Sequence, residues 1–233
     1  MKLPGFALAF LCASSLLAQA RLPSNSIQFR QEWTGLLFSG PGEVEFGALR
    51  VLEQAGDPLM GFAVDYRLEW PTGKRGEWVF GLSAGNRSFF AKLTLEQSSG
   101  SNPPRRFSET RRGLYDFVEI PVVYRWGLFE GVRLGFGGIL VARFQSRFQP
   151  AVSEIFGEVP VDFEDFPFGD SFSGLSPALL TEAEIRLVQR GRLRVFLRPY
   201  FQLEMVRHQR SFLRGRQFHF GLALGGGLQG LEK

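Results

Sequence analysis

Phe62-Ala63-Val64-Asp65-Tyr66-Arg67-Leu68-Glu69-Trp70 is the stretch that decides the fold class of this chain. Large apolar residues alternate in it with alanine and charged residues, without a break. Successive side chains of an extended strand point to opposite faces, so the stretch has one apolar face and one mainly charged face. The segments after Gly131 and Gly191 repeat this pattern, with arginines on the polar face. The alternation therefore predicts long amphipathic strands.

Eight segments of this kind can be counted, at roughly 42–52, 59–71, 77–97, 112–126, 131–148, 177–189, 192–207 and 215–229. A strand of a soluble protein typically has about five or six residues, whereas a tilted membrane strand needs about 9–11. The sequence therefore predicts an all-β fold, an eight-stranded antiparallel up-and-down transmembrane β-barrel. A soluble β-sandwich or a lipocalin-like barrel is the alternative.

The connections between these segments alternate in length. Short turns are predicted at 71–76, 127–130 and 189–191, and long connections at 98–111 and 149–176. Outer-membrane barrels have short periplasmic turns and longer external loops, so the short connections are assigned to the periplasm. The short external loop predicted at 53–58 is the exception. Pro121 and Pro199 fall inside predicted strands, where each should cause a bulge or a local break.

The N-terminus has the features of a secretory signal peptide. Lys2 precedes an uncharged apolar stretch at 5–17, and Ala18-Gln19-Ala20 is a small-residue cleavage site. We therefore predict a signal peptide over 1–20, cleaved after Ala20, and export to a bacterial outer membrane. Residues 21–41 are interpreted as an N-terminal periplasmic arm, with the alternative that 27–37 pairs with the barrel. The barrel domain is assigned to 42–233.

Three tryptophans support a membrane location for the strands. Trp70, Trp78 and Trp126 all fall at the predicted periplasmic end. Tryptophan is enriched where the membrane meets water, so these residues are predicted to form a periplasmic aromatic girdle in contact with outer-membrane lipid. The alternative is that they are ordinary core residues of a soluble sandwich.

The polar face of the strands is predicted to fill the lumen. An eight-stranded barrel is only wide enough for its own side chains, and charges of both signs in such a space favour a hydrogen-bonded ion-pair network. A proton or ion path is the alternative. The predicted lumen residues are Asp65, Arg67, Glu69, Glu119, Arg125, Arg133, Arg143, Glu182, Glu184, Arg186, Arg194, Arg198 and Glu204.

Composition and motifs exclude several other classes of function. The net charge of +4 is modest and the arginines are spread along the chain, so no nucleic-acid partner is predicted. His208 and His219 are the only histidines. His208 lies near Ser211, but no motif marks a partner acid, so a solvated loop is favoured over a hydrolase site. His219 is predicted to be a polar lumen residue. No catalytic residue, cofactor or metal site is predicted.

The segment Tyr115-Asp116-Phe117-Val118-Glu119-Ile120-Pro121-Val122-Val123-Tyr124-Arg125-Trp126, followed by the glycine-rich 134–138, resembles a hallmark of PorT-like outer-membrane β-barrel proteins. The resemblance implies an eight-stranded outer-membrane barrel, mostly of unknown function in that family, with some members serving protein secretion. The chain departs from outer-membrane proteins at Leu231-Glu232-Lys233, which lacks a terminal aromatic residue.

The connection 149–176 is predicted to be the external interaction loop, through which a protein partner could bind. It has no lysine or arginine, and its acidic residues are Glu154, Glu158, Asp162, Glu164, Asp165 and Asp170. Whether this loop binds a cation stays open. It also stays open whether the loop folds back as a lid over the barrel mouth. The sequence favours a non-enzymatic barrel with a sealed lumen, acting as a structural, adhesive or secretion/assembly-associated factor. The alternative is an outer-membrane lipid-modifying hydrolase.

Overall fold

The computed structural model of the chain describes residues 23–38, 44–46, 49–73, 75–99, 102–154, 174–205 and 215–229. These residues form nine strands joined by turns and connections. The strands are β1 (Ser24–Phe38), β2 (Val44–Phe46), β3 (Leu49–Pro71), β4 (Gly76–Ser99), β5 (Asn102–Phe129), β6 (Val132–Glu154), β7 (Gly174–Arg190), β8 (Leu193–Glu204) and β9 (Gly215–Leu228).

Eight of these strands close into a barrel. From β3 to β9 each strand pairs antiparallel with the next one along the chain, and β1 pairs with both β9 and β3. The three-residue β2 pairs only with β3 and stands outside the ring. The predicted fold class, an eight-stranded antiparallel up-and-down barrel, is therefore confirmed.

The interpretation of 21–41 as a periplasmic arm is wrong for the residues that the structure describes. β1 pairs with β3 from Ser24↔Glu69 to Thr34↔Leu59, and with β9 from Asn25↔Leu228 to Phe38↔Gly215. The alternative, in which 27–37 joins the barrel, is the observed arrangement. β1 supplies a polar lumen face, and a closed sheet needs that strand to satisfy the backbone groups of β3 and β9.

The strand count stays at eight because two other predicted strands merge into one. β3 runs without interruption through the predicted external loop 53–58. It has register shifts between Val51 and Glu53 and between Pro58 and Phe62, which absorb the loop-like residues as bulges. The prediction of a separate first strand over 42–52 is therefore wrong.

The predicted long loop 98–111 is also largely strand. β4 and β5 continue as a paired ladder to Ser99↔Asn102, and β6 follows β5 as far as Ser108↔Glu154. In contrast, β1 leaves β3 beyond Leu59, and β7 leaves β6 beyond Arg143. A sheet made of β2 to β6 therefore extends past the closed barrel at the long-connection end.

Burial alternates along the barrel strands as a closed barrel requires. In β3 the side chains of Ala63, Asp65 and Arg67 are buried, whereas Val64 and Tyr66 are exposed. Most outward-facing side chains in the closed part are apolar, and the inward-facing ones include most of the charges. The outer wall therefore has the polarity of a surface in contact with lipid.

The two strand prolines cause local breaks without bulges. At Pro121 the ladder between β4 and β5 passes from Phe80↔Val122 directly to Ser83↔Glu119, in an unchanged register. Pro199 interrupts the ladder between β7 and β8 in the same way. Both prolines keep a paired row with the neighbour on their other side, so each costs the barrel only a local gap. Within the described ranges, no helix is long and apolar enough to span a bilayer.

Candidate functional site: the charged barrel interior

The predicted lumen residues lie in the interior, and all but one take part in ion pairs. Arg186 is the exception, because its guanidinium bonds to Gln189 beside the turn between β7 and β8. Arg133 lies at the short-turn mouth of the barrel and is about one-third exposed. The other predicted residues are buried, and the structure brings them together through side chains from β3, β5, β6, β7 and β8.

Four charged lumen residues were missed by the sequence analysis. Arg30 and Glu32 were assigned to the arm, so their alternation with Phe29 and Gln31 was not used. Glu77 and Arg87 lie on β4, where serine and glycine at the intervening inward positions dilute the charged pattern. The signal that finds them is the same period of two that identified Asp65.

The network has equal numbers of the two charges among the described residues. Its eight arginines are Arg30, Arg67, Arg87, Arg125, Arg133, Arg143, Arg194 and Arg198. Its eight carboxylates are Glu32, Asp65, Glu69, Glu77, Glu119, Glu182, Glu184 and Glu204. A buried charge is tolerated only when it is paired, so this balance is a condition for a dry interior.

Arg125 is the centre of the half of the network nearest the short turns. Its Nε lies 2.6 Å from Glu182, and its Nη1 lies 2.9 Å from Glu184, 3.1 Å from Glu69 and 3.3 Å from Glu77. Arg67, Arg133, Arg194 and Arg198 bind the same carboxylates from the surrounding strands. One β5 arginine thereby joins β3, β4 and β7 across the lumen.

Glu119 and Glu32 hold the middle of the network. The Nη2 of Arg30 lies 2.7 Å from Glu119, and the Nη2 of Arg87 lies 2.7 Å from the other carboxylate oxygen. Arg87 also donates through Nε to Glu32 at 2.8 Å, and its guanidinium lies 3.9 Å from the centre of the Phe117 ring. The hydroxyl of Tyr200 donates to the second carboxylate oxygen of Glu32, and the amide of Gln202 donates to the Glu119 oxygen that Arg87 also contacts. Both oxygens of Glu119 and both oxygens of Glu32 thus have polar partners within this section of the lumen.

A third cluster lies toward the long-connection end of the closed barrel. The Thr34 hydroxyl lies 2.9 Å from Nδ1 of His219, and Nε2 of that histidine lies 3.2 Å from Glu204. Glu204 also pairs with Arg143 and accepts a hydrogen bond from Ser176 at 3.4 Å. All five side chains are buried. His219 is therefore a lumen residue, and a hydroxyl, an imidazole and a carboxylate do converge there. His208 and Ser211 lie outside the described residues.

A cavity of about 320 Å³ opens at the short-turn end of the barrel. Its lining includes Arg75 from the turn between β3 and β4, Arg186 from β7, and the network residues Glu77, Arg133, Glu184 and Arg194. The cavity therefore ends on the ion pairs around Arg125. In the described part of the chain, no group of three or more histidine, cysteine or acidic side chains could hold a metal ion.

The tryptophans predicted as a girdle lie together on the outer wall near the turn that joins β3 and β4. Trp70 pairs with Trp78, and Trp78 contacts Tyr124 at a ring separation of 5.0 Å. Tyr124 in turn contacts Trp126, whose side chain is 61% exposed. The prediction missed Tyr124, which links the two tryptophans in this aromatic cluster.

The predicted external loop 149–176 is described only at its ends. Residues 149–154 continue β6, so Glu154 ends a strand, and 174–176 begin β7. Glu158, Asp162, Glu164, Asp165 and Asp170 lie outside the described residues, as do the predicted signal segment 1–20 and the cleavage site after Ala20. The external interaction loop therefore stays a prediction.

Several solved outer-membrane proteins are similar to the chain at low identity. Ail, the attachment invasion locus protein of Yersinia pestis, is 13% identical with a TM-score of 0.40, over 89% of this chain and 99% of that chain. OprG from Pseudomonas aeruginosa is 8% identical with a TM-score of 0.42, over 90% and 96%. The protease OmpT from Escherichia coli is 8% identical with a TM-score of 0.41, over 89% and 96%.

The closed ring, the apolar outer wall and the charged interior define the class: the chain is an eight-stranded transmembrane β-barrel protein. No protein-family model and no curated protein matches the chain.

Proposed function

We propose that the chain is a non-enzymatic barrel of a bacterial outer membrane with a sealed lumen. Its external segments act as a structural, adhesive or secretion/assembly-associated factor. The observation that carries this proposal is the filled, charge-balanced interior, which spans the section from Glu69 to Glu204. Because that section is occupied by side chains, the outer wall and the external end are the surfaces left to meet lipid and partners.

The location follows from the outer wall and the N-terminus. Open sheets and irregular chain are not stable in contact with hydrocarbon, whereas a closed barrel satisfies every backbone group internally. An apolar wall on such a barrel suits a bilayer, and the proposed signal peptide over 1–20 would export the chain. Residues 155–173 and the sheet that extends past the barrel then lie on the outer side.

The resemblance to PorT-like proteins is retained as part of this proposal. The residues that carry it form the closed-barrel part of β5, and they supply Glu119 and Arg125 to the network. Pro121 stands between these two inward-facing charges and breaks the ladder toward β4. In this proposal the motif serves to fill the lumen, whatever the external end does.

The test combines fractionation with a deletion. The mature protein should sediment with outer membranes and should migrate faster in detergent gels before boiling than after, because the barrel stays folded. Deleting 155–172 should leave both properties intact and remove the cellular phenotype of the protein. Recovery as a freely soluble periplasmic protein contradicts the location, and a deletion without any phenotype contradicts the role of the external segments.

A lipid-modifying hydrolase is the second candidate, and the Thr34–His219–Glu204 arrangement is the observation that favours it. A hydroxyl, an imidazole and a carboxylate in hydrogen-bond contact are the parts of a nucleophilic triad. Here, however, all three are buried, and the hydroxyl faces Nδ1 while the carboxylate faces Nε2.

Mass spectrometry of membrane lipids separates the two candidates. A hydrolase requires deacylated lipid in cells that express the native chain and its loss in Thr34→Val and His219→Gln. Thr181→Val, which alters an exposed threonine on the outer wall, is the matched control. We expect identical lipid profiles for all of these proteins.

A further inference from the structure

Four aromatic rings form a continuous surface on the outer wall of β1, β8 and β9. We call this surface the aromatic plate; it consists of Trp33, Phe201, Phe218 and Phe220. Trp33 stacks on Phe220 with ring centres 5.6 Å apart and planes 14° apart. Phe218 is 6.2 Å from Phe220 and 6.4 Å from Phe201, again with nearly parallel planes. The plate is therefore one continuous apolar patch across three adjacent strands.

A glycine allows the plate to lie against the wall. Gly35 is the next outward position of β1 after Trp33, and it pairs with Phe218 of β9. A Cβ placed on Gly35 would lie 2.4 Å from the tip of the Phe218 ring. The ring consequently occupies the space that a side chain at this position would take, and any larger residue would displace it.

Arg216 stands at the external edge of the plate. It is the outward-facing residue next to Phe218 on β9, since Gln217 and His219 point into the lumen and are buried. Arg216 is half-buried, and its Nε is buried without a hydrogen-bond partner among the described residues. One donor of this guanidinium on the apolar wall is therefore left unsatisfied by the described chain.

The position along the barrel fixes which leaflet meets Arg216. The plate lies toward the end where β8 and β9 are joined by the long connection 206–214, opposite to the cluster of Trp78, Tyr124 and Trp126. In the proposed orientation this is the external end. Arg216 is then at the level of the outer-leaflet headgroups, and the plate lies at the level of the acyl chains below them.

We infer that Arg216 and the aromatic plate form a binding site for one anionic, phosphate-bearing lipid of the outer leaflet. The guanidinium matches a phosphate group through two parallel hydrogen bonds, which an ammonium cannot form. The apolar patch made by the four rings then receives the acyl chain of the same molecule. The inference rests on the proposed orientation in the outer membrane and adds the class of lipid that this part of the wall selects.

The experiment uses Trp33 as a reporter at the site. The full chain with Trp70, Trp78 and Trp126 replaced by phenylalanine retains only this tryptophan. It is reconstituted into vesicles that contain a small fraction of brominated phosphatidylglycerol or of brominated phosphatidylcholine, in unlabelled phosphatidylcholine. We expect stronger quenching by the anionic lipid, corresponding to about fivefold local enrichment, as one arginine near an anionic surface provides.

Arg216→Gln should abolish this preference, whereas Lys92→Gln should preserve it. Lys92 is an exposed cation of β4 on the sheet that extends past the barrel, away from the plate, so it controls for net charge. Equal quenching by the two lipids in the parent protein overturns the inference. Retention of the preference in Arg216→Gln also overturns it, because the headgroup would then be recognised elsewhere.

Two further measurements separate other outcomes. Free inorganic phosphate added to phosphatidylcholine vesicles should not stabilise the protein; if it matches the effect of the anionic lipid, the site binds any phosphate and the lipid inference fails. Absence of quenching by both lipids would mean that the chain is not inserted, which contradicts the proposed function.

The unaltered four-tryptophan protein should show a higher unfolding temperature with phosphatidylglycerol, and Arg216→Gln should lose that shift. If the unaltered protein shows no shift, the inference is overturned.

Discussion

The charged side chains in the lumen are stabilised by ion pairs with one another and not by solvent. Arg125 contacts four carboxylates, and all of them have additional arginine partners. Removing one member of such a buried set leaves charges without compensation, whereas exposed ion pairs contribute little. Substitutions of the lumen charges are therefore expected to change stability far more than substitutions of the exposed charges.

Replacing Arg125 with methionine should lower the free energy of unfolding by about 3–5 kcal/mol, because Glu182 and Glu184 lose their central partner in a buried site. Urea unfolding in detergent or lipid, followed by gel mobility, measures this change. Arg112→Met removes an exposed arginine of the same strand and should change stability by less than about 0.5 kcal/mol. Equal effects of the two substitutions would show that the network is not dry. Adding Glu182→Gln to Arg125→Met should restore part of the loss.

The two adjacent glycines Gly225 and Gly226 should respond differently to alanine. A Cβ on Gly225 would lie 2.4 Å from the tip of the buried Phe196 ring, whereas one on Gly226 has its nearest neighbour at 3.8 Å. Gly225→Ala should therefore destabilise the barrel by about 1–3 kcal/mol through overpacking. Gly226→Ala is the matched control and should be close to neutral. The midpoint of urea unfolding compares them, and a smaller loss for Gly225→Ala than for Gly226→Ala would refute the close approach.

At the level of strands, the sequence alone predicted the strand and its inward-facing residues wherever one face of the strand is uniformly apolar. β3 after Leu59, β6 from Val132 to Phe144, and β8 have this property, and the charged residues of these segments face the lumen. β1 was misassigned because its outward face also carries Asn25 and Gln31, so no apolar face stands out. The residue partners could not be predicted at all: Arg125 and Glu182 are 57 residues apart, and only closure of the ring brings them together. β4 was predicted almost to its end, as 77–97, whereas the extension of β5 over 102–111 was missed because most of its residues are polar or proline on both faces.

The role of β1 gives a prediction for proline. Gln31 is paired on one side with Phe62 of β3 and on the other with Leu222 of β9. Gln31→Pro removes a backbone donor from a strand without a free edge and should abolish the faster-migrating folded band. Gln31→Ala, which keeps the backbone amide, should retain it. If the proline variant folds normally, β1 is not an essential strand of the barrel.

For the whole molecule, the filled interior predicts the absence of a pore. The clusters around Arg125, Glu119 and Glu204 occupy successive levels of the lumen, and the cavity at the short-turn end stops at the first of them. Purified protein in a planar bilayer should show no stable conductance. As a control, Arg125→Ala combined with Glu182→Ala removes two large side chains at one level and should admit more water. Steady channels in the native protein would contradict a sealed lumen.

The ion pairs also constrain the order in which the barrel can be built. Arg30 and Glu119 are 89 residues apart, Arg67 and Glu182 are 115 apart, and Arg194 and Glu69 are 125 apart. A single hairpin that entered the bilayer early would therefore carry charged side chains into it before their partners arrive. Each unpaired charge at the bilayer centre costs about 2.5–3.5 kcal/mol or more of insertion free energy. Strand-by-strand insertion is consequently uphill until the ring closes. The same pairs that stabilise the folded barrel therefore make its assembly cooperative. They also make it dependent on a pathway that keeps these charges out of contact with lipid until the ring closes.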